Sequence, residues 1–419
     1  MRGSTFRPGE VSGTGEVHPL TPNPSPPRGE GDHTPWLVFA DDWGRHPSSC
    51  QHLVRHLLPR VPVTWVNTIG TRPPRLDRAT AARVAGKLRD WCSPKPTSST
   101  NTEPSPRVVA PKMWPSFGSS PTRWLNRTLL GRSLRPLIES LPEPPVVVTT
   151  LPLVADLVGR IPAKRWVYYC VDDFSAWPGY DGPTMLRMER ELVPNMDTVI
   201  AVSDTLVSHV AGLGKTAHLL THGVDTDFWQ AEATPPPNPL PEAERGNLTV
   251  FTGLAPPFVV FWGVIDRRMD TEFVRRVAET IAGTVVLIGP QEDPDPALLA
   301  IPRVAVRPPV PFAELPAVAA AADVLVMPYA DLPVTRAIQP LKLKEYLATG
   351  KPTVVRDLPA TREWADTCDV VATADEFAAR VRDRIADGLP AGQQAARQRL
   401  ADESWAGKAA LFEKWVTGE

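Results

Sequence analysis

Lys342 and Glu345 lie in the stretch QPLKLKEYLATGKPTVV (339–355). Pro340 suits the first turn of a helix, where a missing N–H costs nothing. Gly350 suits the position just past the helix end, and Pro352 prevents continuation. Leu341, Leu347 and Ala348 can share a buried face, and Thr353-Val354-Val355 reads as a short buried strand. Lys342 is the misfit. A cation in the first turn faces the positive end of the helix dipole, which is unfavourable unless an anion binds there. Glu345, one turn on, can face the same way; the plain alternative is a solvated i,i+3 ion pair.

Two other stretches carry residues suited to chemistry. YYCVDDFSAWPGYDG (168–182) places Asp172 and Asp173 at the carboxyl end of an apolar run, where carboxylates serve acceptor or catalytic sites. One of the pair can instead cap the next segment. DDWGRHPSSC (41–50) reads as a strand-to-helix loop. In it Gly44 lets backbone approach a ligand, Arg45 and His46 can point into a cleft, and Ser48 can cap the following helix. His46 is equally readable as an ordinary loop residue.

The elements that must hold these residues follow a regular pattern. Apolar runs of strand length occur at 36–40, 61–67, 146–150, 165–171 and 197–203, alternating with helical stretches at 48–58, 77–91, 121–140, 183–194 and 204–213. The pattern restarts with strands at 258–263, 284–289, 303–306, 323–328, 353–355 and 369–373, and a last helical stretch covers roughly 391–416. Near-continuous apolar strands alternating with helices predict α/β domains with parallel sheets covered on both faces. The 419 residues accommodate two such Rossmann-like domains. Ligands of open α/β sheets bind beyond the carboxyl ends of the strands, so the cleft between the domains is the expected site.

The 49 prolines are about twice the usual share. Many fall in 18–35 and 233–257, which echo each other (PNPSPPRGE, PNPLPEAERG), lack apolar periodicity and read as disordered or weakly ordered. The expected organisation is a tail at 1–34, a first domain at 35–230, a linker at 231–257, a second domain at 258–400 and a C-terminal helix at 401–419 that crosses back to the first domain.

Composition excludes several classes. A net charge of −2 gives no reason to expect nucleic acid. Cys50, Cys92, Cys170 and Cys368 are too scattered for a zinc site or a disulfide framework. No run approaches the roughly 20 apolar residues of a membrane span, and the N-terminus has no apolar core of a signal peptide. A cytoplasmic protein is expected. There is no G-x-G-x-x-G after a strand, and the D-x-D of EDPDP (292–296) sits among prolines, so neither a dinucleotide cofactor nor a metal is expected. In SPTRWLNRTLLGRSLRPLIESL (120–141), Arg123, Arg127, Arg132 and Arg135 interleave with leucines. Such a helix can make peripheral contact with an anionic membrane, although the arginines spread over much of its circumference, which favours an ordinary domain helix.

The order of local motifs resembles the GT-B glycosyltransferases, and within them retaining family four (glycosyl transferases group 1), over about residues 35–416. AVSDTL followed by THGVDTDFW (221–229) is similar to the end of that family's first domain. FWGVIDRRMD (261–270), VVLIGP (285–290) and PLKLKEYLATGKPTVV are similar to the first strand and loop, the second strand and the donor-site helix of its second domain. Trp43, Gly44, Pro47, Ser48, Gln51 and His52 resemble the start of teichuronic-acid-type transferases of envelope polysaccharide synthesis. The resemblance implies a nucleotide-diphosphate sugar as donor and a cell-envelope glycan or lipid-linked acceptor. It implies a diphosphate at Lys342, ribose hydroxyls at Glu345, and donor contacts at Gln339, Pro340, Leu341 and Gly263. It further implies that the donor phosphate takes the acceptor proton, so that electrostatic stabilisation of the leaving group dominates. Two departures stand out. Ala337 occupies the position of the first of the family's two glutamates. The cations that usually follow the first strand of the second domain come late, as Arg267 and Arg268, and either substitute from a shifted place or are surface charges. Two other readings stay open. One is a GT-B nucleotide-sugar epimerase, whose acidic residues the sequence does not assemble. The other is a degenerate GT-B module that binds without turnover, which Ala337 favours.

Overall fold

A computed structural model of the chain describes residues 34–44, 48–68, 104–230 and 249–419. Residues 1–33 of the expected tail at 1–34, the helix at 77–91, Cys92, Arg45, His46, and linker residues 231–248 lie outside the described residues. The described residues form one compact unit.

In the first half, strands form at Trp36–Ala40 (β1), Val63–Asn67 (β2), Arg107–Val109 (β3), Val146–Thr149 (β4), Arg165–Cys170 (β5), Thr198–Ala201 (β6) and His218–Leu219 (β7). They make one sheet in the order β3-β2-β1-β4-β5-β6-β7, parallel throughout. The second half adds Phe258–Trp262 (β8), Ile265–Asp266 (β9), Thr284–Ile288 (β10), Gln291–Glu292 (β11), Val304–Arg307 (β12), Val324–Met327 (β13), Thr353–Arg356 (β14) and Asp369–Val371 (β15). Six of these make a second sheet, β12-β10-β8-β13-β14-β15, also parallel throughout, while β9 and β11 pair separately. β1, β4, β8, β10 and β13 are buried along their whole length, as strands covered by helices on both faces must be. Each sheet reverses direction once, between β1 and β4 and between β8 and β13. In doubly wound sheets the ligand crevice opens at this reversal.

The alternation of apolar runs therefore reads correctly into two doubly wound domains. Four short strands went unread: β3, β7, β9 and β11 have two or three residues each, too few for a period-2 signal. The linker needs a correction. Residues 249–257, expected as disordered spacer, belong to the second domain. Val250 and Phe251 are buried, Phe251 packs on Phe258 at 4.6 Å, and Arg307 donates to the Val250 carbonyl at 2.9 Å. Prolines mask this pair in the sequence.

The C-terminal segment also differs from a single helix. A helix at Ala391–Ala396 runs into a 3-10 turn at Arg397–Glu403, and a separate helix, Trp405–Thr417, starts on its Ser404 cap. The last helix crosses back as expected: Trp405, Ala409, Phe412 and Val416 are buried in the first domain's core, with Phe412 6.0 Å from Trp36 and 5.1 Å from Tyr169. The two crossings touch, since Val224 donates to the Glu403 carbonyl at 2.8 Å. Among the described residues no helix is long and apolar enough to cross a membrane. Cys50, Cys170 and Cys368 are free and buried.

Candidate active site

A cavity of about 200 Å3 lies between the domains. Asp41 follows β1, Thr150 follows β4 and Asp172 follows β5; they form the first-domain wall. Arg268, Tyr329 and Lys342 form the facing wall, and His222 reaches in from the crossover. The cavity thus opens at both sheet reversals.

The second-domain wall is built on the helix Leu341–Ala348. Pro340 precedes the helix instead of entering it. Gly350 takes φ +74°, the left-handed conformation that ends a helix cheaply for glycine alone. Arg397, buried, donates to the carbonyls of Leu347 at 3.3 Å and Lys351 at 2.9 Å, which satisfies the far end. Nearly all of the helix is inside the protein. Leu343, Tyr346, Leu347 and Ala348 join the second core, whereas Leu341 packs against the first.

Lys342 extends across the end of β8. Its ammonium donates to the Tyr329 hydroxyl at 3.1 Å and lies 5.8 Å from the Phe261 ring. Gly263 makes this possible: it sits at φ +138°, and a Cβ there would stand 2.1 Å from Lys342 Cε. A cation held by a hydroxyl at a helix N-terminus, with no carboxylate in direct contact among the described residues, is a ready anion site.

Glu345 does not line the cavity. It is buried beside Trp262, and burial pushes its carboxyl up to about 7 against the opposing effects of Lys342 and the Trp262 indole. Gln339, Pro340 and Leu341 do line it. The two arginines separate. Arg267 is exposed and lies 3.7 Å from Asp293, so it is a surface charge in this conformation. Arg268 is buried in the cavity wall, held by Asp266 at 2.8–3.0 Å, with its guanidinium 4.5 Å from the ring of Trp177 in the first domain.

The two aspartates separate as well. Asp173 accepts from Ser175 N at 3.0 Å, Ser175 Oγ at 2.5 Å and Ala176 N at 3.3 Å, so it caps the turn after β5. Asp172 faces the cavity. Burial pushes its carboxyl up to about 7, helped by Asp173 and opposed by Arg268 and Lys342. A carboxyl poised near neutrality can exchange a proton with a substrate hydroxyl.

The first loop is organised by Asp41, which the sequence reading passed over. Asp41 accepts from Ser48 Oγ at 3.0 Å and Gln51 Nε2 at 2.9 Å, and Gln51 in turn accepts from Gly44 N at 3.0 Å. Gly44 has φ +77° and is not part of the cavity wall. His222 was also passed over, although it stands in the quoted THGVD turn. It is 6% exposed, and neither ring nitrogen has a hydrogen-bond partner among the described residues. Burial and the nearby Lys344 ammonium lower it to about 3, so its imidazole is neutral. A histidine immediately before a glycine that a crossover needs is the signal that was available. Gly223 is that glycine: a Cβ there would stand 2.8 Å from the Trp405 ring.

Ala337 is 3% exposed in the first domain's core, and its carbonyl accepts from Ser203 Oγ at 2.6 Å. The position that carries a glutamate in the resembling family is a buried interdomain contact here. Among the described residues no three His, Cys, Asp or Glu side chains converge in a way that could hold a metal.

Residues 256–387 match the family model Glycosyl transferases group 1. The Bacillus subtilis chain TuaH, named as a teichuronic acid biosynthesis glycosyltransferase, is 27% identical over 183 residues, which are 41% of this chain and 43% of that one. The chain thus aligns with less than half the length of this curated relative. Sucrose-phosphate synthase of Thermosynechococcus elongatus superposes with a TM-score of 0.64 at 14% identity, covering 92% of this chain and 99% of that one. Anabaena HepE in complex with UDP and glucose superposes with a TM-score of 0.63 at 15% identity, covering 92% and 100%. The two parallel-sheet domains are those of the GT-B glycosyltransferase fold.

Proposed function

We propose, from a GT-B fold whose second domain matches the group 1 transferases, that this chain is a glycosyltransferase. It moves a sugar from a nucleotide-diphosphate donor to a cell-envelope glycan or lipid-linked acceptor, with retention of anomeric configuration. The observation that carries the reading is Lys342 at the N-terminus of Leu341–Ala348, laid over Gly263 at the sheet reversal of the second domain. Charge develops on the departing diphosphate as the glycosidic bond breaks. A fixed cation and oriented helix N–H groups stabilise that charge more in the transition state than in the ground state. Arg268 adds positive potential from the same wall. Asp172, across the cavity, holds the acceptor hydroxyl. The hydroxyl proton passes to the donor phosphate, while Asp172, part protonated near pH 7, avoids strong repulsion of the anionic donor. The UDP bound by HepE supports a nucleotide ligand. The name of the Bacillus subtilis relative supports an envelope acceptor.

Ala337 favours a second reading, a module that binds a sugar nucleotide without turnover. One experiment separates the two. The full chain is screened by thermal shift against UDP-, GDP- and ADP-sugars, and the stabilising donor is then followed for sugar release and transfer. Release or transfer that Asp172→Asn and Lys342→Ala both slow supports the transferase. Stabilisation with no release or transfer supports the binding module.

A further inference from the structure

His222 lines the cavity but has no part in the steps above. It stands where the chain first passes between the domains: Leu220 belongs to the first core and Val224 to the second. Its backbone is held in place. Lys344, on the helix Leu341–Ala348, donates to the His222 carbonyl at 2.5 Å and pairs with Glu403. On the other side Gly223 lies so close to Trp405 that a Cβ would stand 2.8 Å from the ring. The imidazole itself is 6.3 Å from the Trp405 ring. The second domain's helix and the C-terminal helix therefore fix the ring at the cavity wall.

Both ring nitrogens are buried, and neither has a hydrogen-bond partner among the described residues. The Gln339 backbone faces the ring without the geometry of a hydrogen bond. An unpaired buried polar group costs stability, and an apolar side chain of similar size would avoid that cost. The fold alone gives no reason for an imidazole at this place. A ligand in the cavity would give one.

The chemistry of that ligand follows from the charge around the ring. Lys344 sits on the His222 carbonyl, and Lys408 donates to the neighbouring Thr221 hydroxyl at 2.9 Å. A second positive charge beside these ammonium groups is unfavourable, so the ring stays neutral. A neutral imidazole offers one N–H donor and one bare nitrogen acceptor. Phosphate oxygens only accept, and Lys342 with its helix N-terminus already serves them. Sugar hydroxyls both donate and accept, so a pair of them fills both ring nitrogens. We propose that His222 recognises the transferred sugar, donating to one of its hydroxyls and accepting from another. This rests on the reading of the cleft as a donor site.

The test is calorimetry on the full chain with UDP-glucose against UDP, GDP-mannose against GDP and ADP-glucose against ADP. In the pair that binds, His222→Leu should lose about tenfold in affinity for the nucleotide sugar and less than about twofold for the nucleoside diphosphate. His222→Gln keeps a donor and an acceptor on one amide and should recover part of the loss. Without ligand, His222→Leu should melt no lower than wild type, because an unpaired buried polar group has gone. A structural role would instead lower the melting temperature and weaken both members of the pair alike. Equal losses for sugar nucleotide and nucleoside diphosphate, or no loss for either, would overturn the inference and leave the donor site standing. A wild type that binds none of the six ligands would overturn the donor reading and this inference with it.

Discussion

Asp172 and Asp173 are neighbours with opposite environments. Asp173 spends its lone pairs on the turn it caps, and Asp172 is left in the cavity wall with its carboxyl pushed up to about 7. The pH consequences follow from that direction. Between about pH 4, where an unfolded aspartate ionises, and about pH 7, the folded chain keeps a proton that the unfolded chain releases, so this group's contribution to stability falls as pH rises. Asp172→Asn should therefore raise the melting temperature relative to wild type at pH 8 and not at pH 4. Binding of a nucleotide sugar, whose diphosphate does not titrate in this range, should weaken as pH rises through 7 and do so less steeply in Asp172→Asn. Glu345, also raised to about 7, leaves a residual slope. Calorimetric titrations at pH 6, 7 and 8 check this, and a pH-independent wild-type affinity would remove Asp172 from the site. The sequence placed both aspartates at a strand's carboxyl end. It could not separate them, because their difference lies in which one meets Ser175 and which meets Arg268.

The helix Leu341–Ala348 was legible because its ends are chemical: a proline before it, a glycine after it, and a lysine where a cation needs a reason. Its surroundings were not legible. Lys344 looks like a surface residue in the sequence, yet it is 2% exposed and bridges Glu403 and the His222 carbonyl at the crossover. Ala337 looked like a lost glutamate and is an interdomain contact. Such partners lie more than 50 residues away, beyond any local pattern. The contact of Gly263 with Lys342 gives the element-scale prediction. Gly263→Ala puts a methyl group where Lys342 Cε lies and strains the left-handed backbone. Nucleoside-diphosphate affinity should fall roughly tenfold or more, as for Lys342→Ala. The double variant should be little worse than either single one, because both remove the same contact. Additive losses in calorimetry would mean that the glycine serves something else.

At the scale of the molecule, two doubly wound domains were readable from apolar runs alone, since strands buried on both faces leave little ambiguity. The final helix belongs to the first domain although it follows the second in sequence. Phe412, fully buried against Trp36 and Tyr169, should cost about 3–5 kcal/mol when changed to alanine, measured by denaturant unfolding. A loss below about 1 kcal/mol would mean that the crossing contributes little to the first domain. The central claim is that the cleft binds a nucleotide through its diphosphate at Lys342. Its most direct test is titration calorimetry of wild type, Lys342→Ala and Glu345→Gln, each with a nucleoside diphosphate and the matching nucleoside. A charge-assisted contact is worth about 1.5–3 kcal/mol. Lys342→Ala should therefore lose about tenfold to a hundredfold in diphosphate affinity with nucleoside affinity nearly unchanged, whereas Glu345→Gln, whose side chain stands outside the cavity, should change neither by as much. Equal affinities in all three proteins would contradict a donor site at this helix.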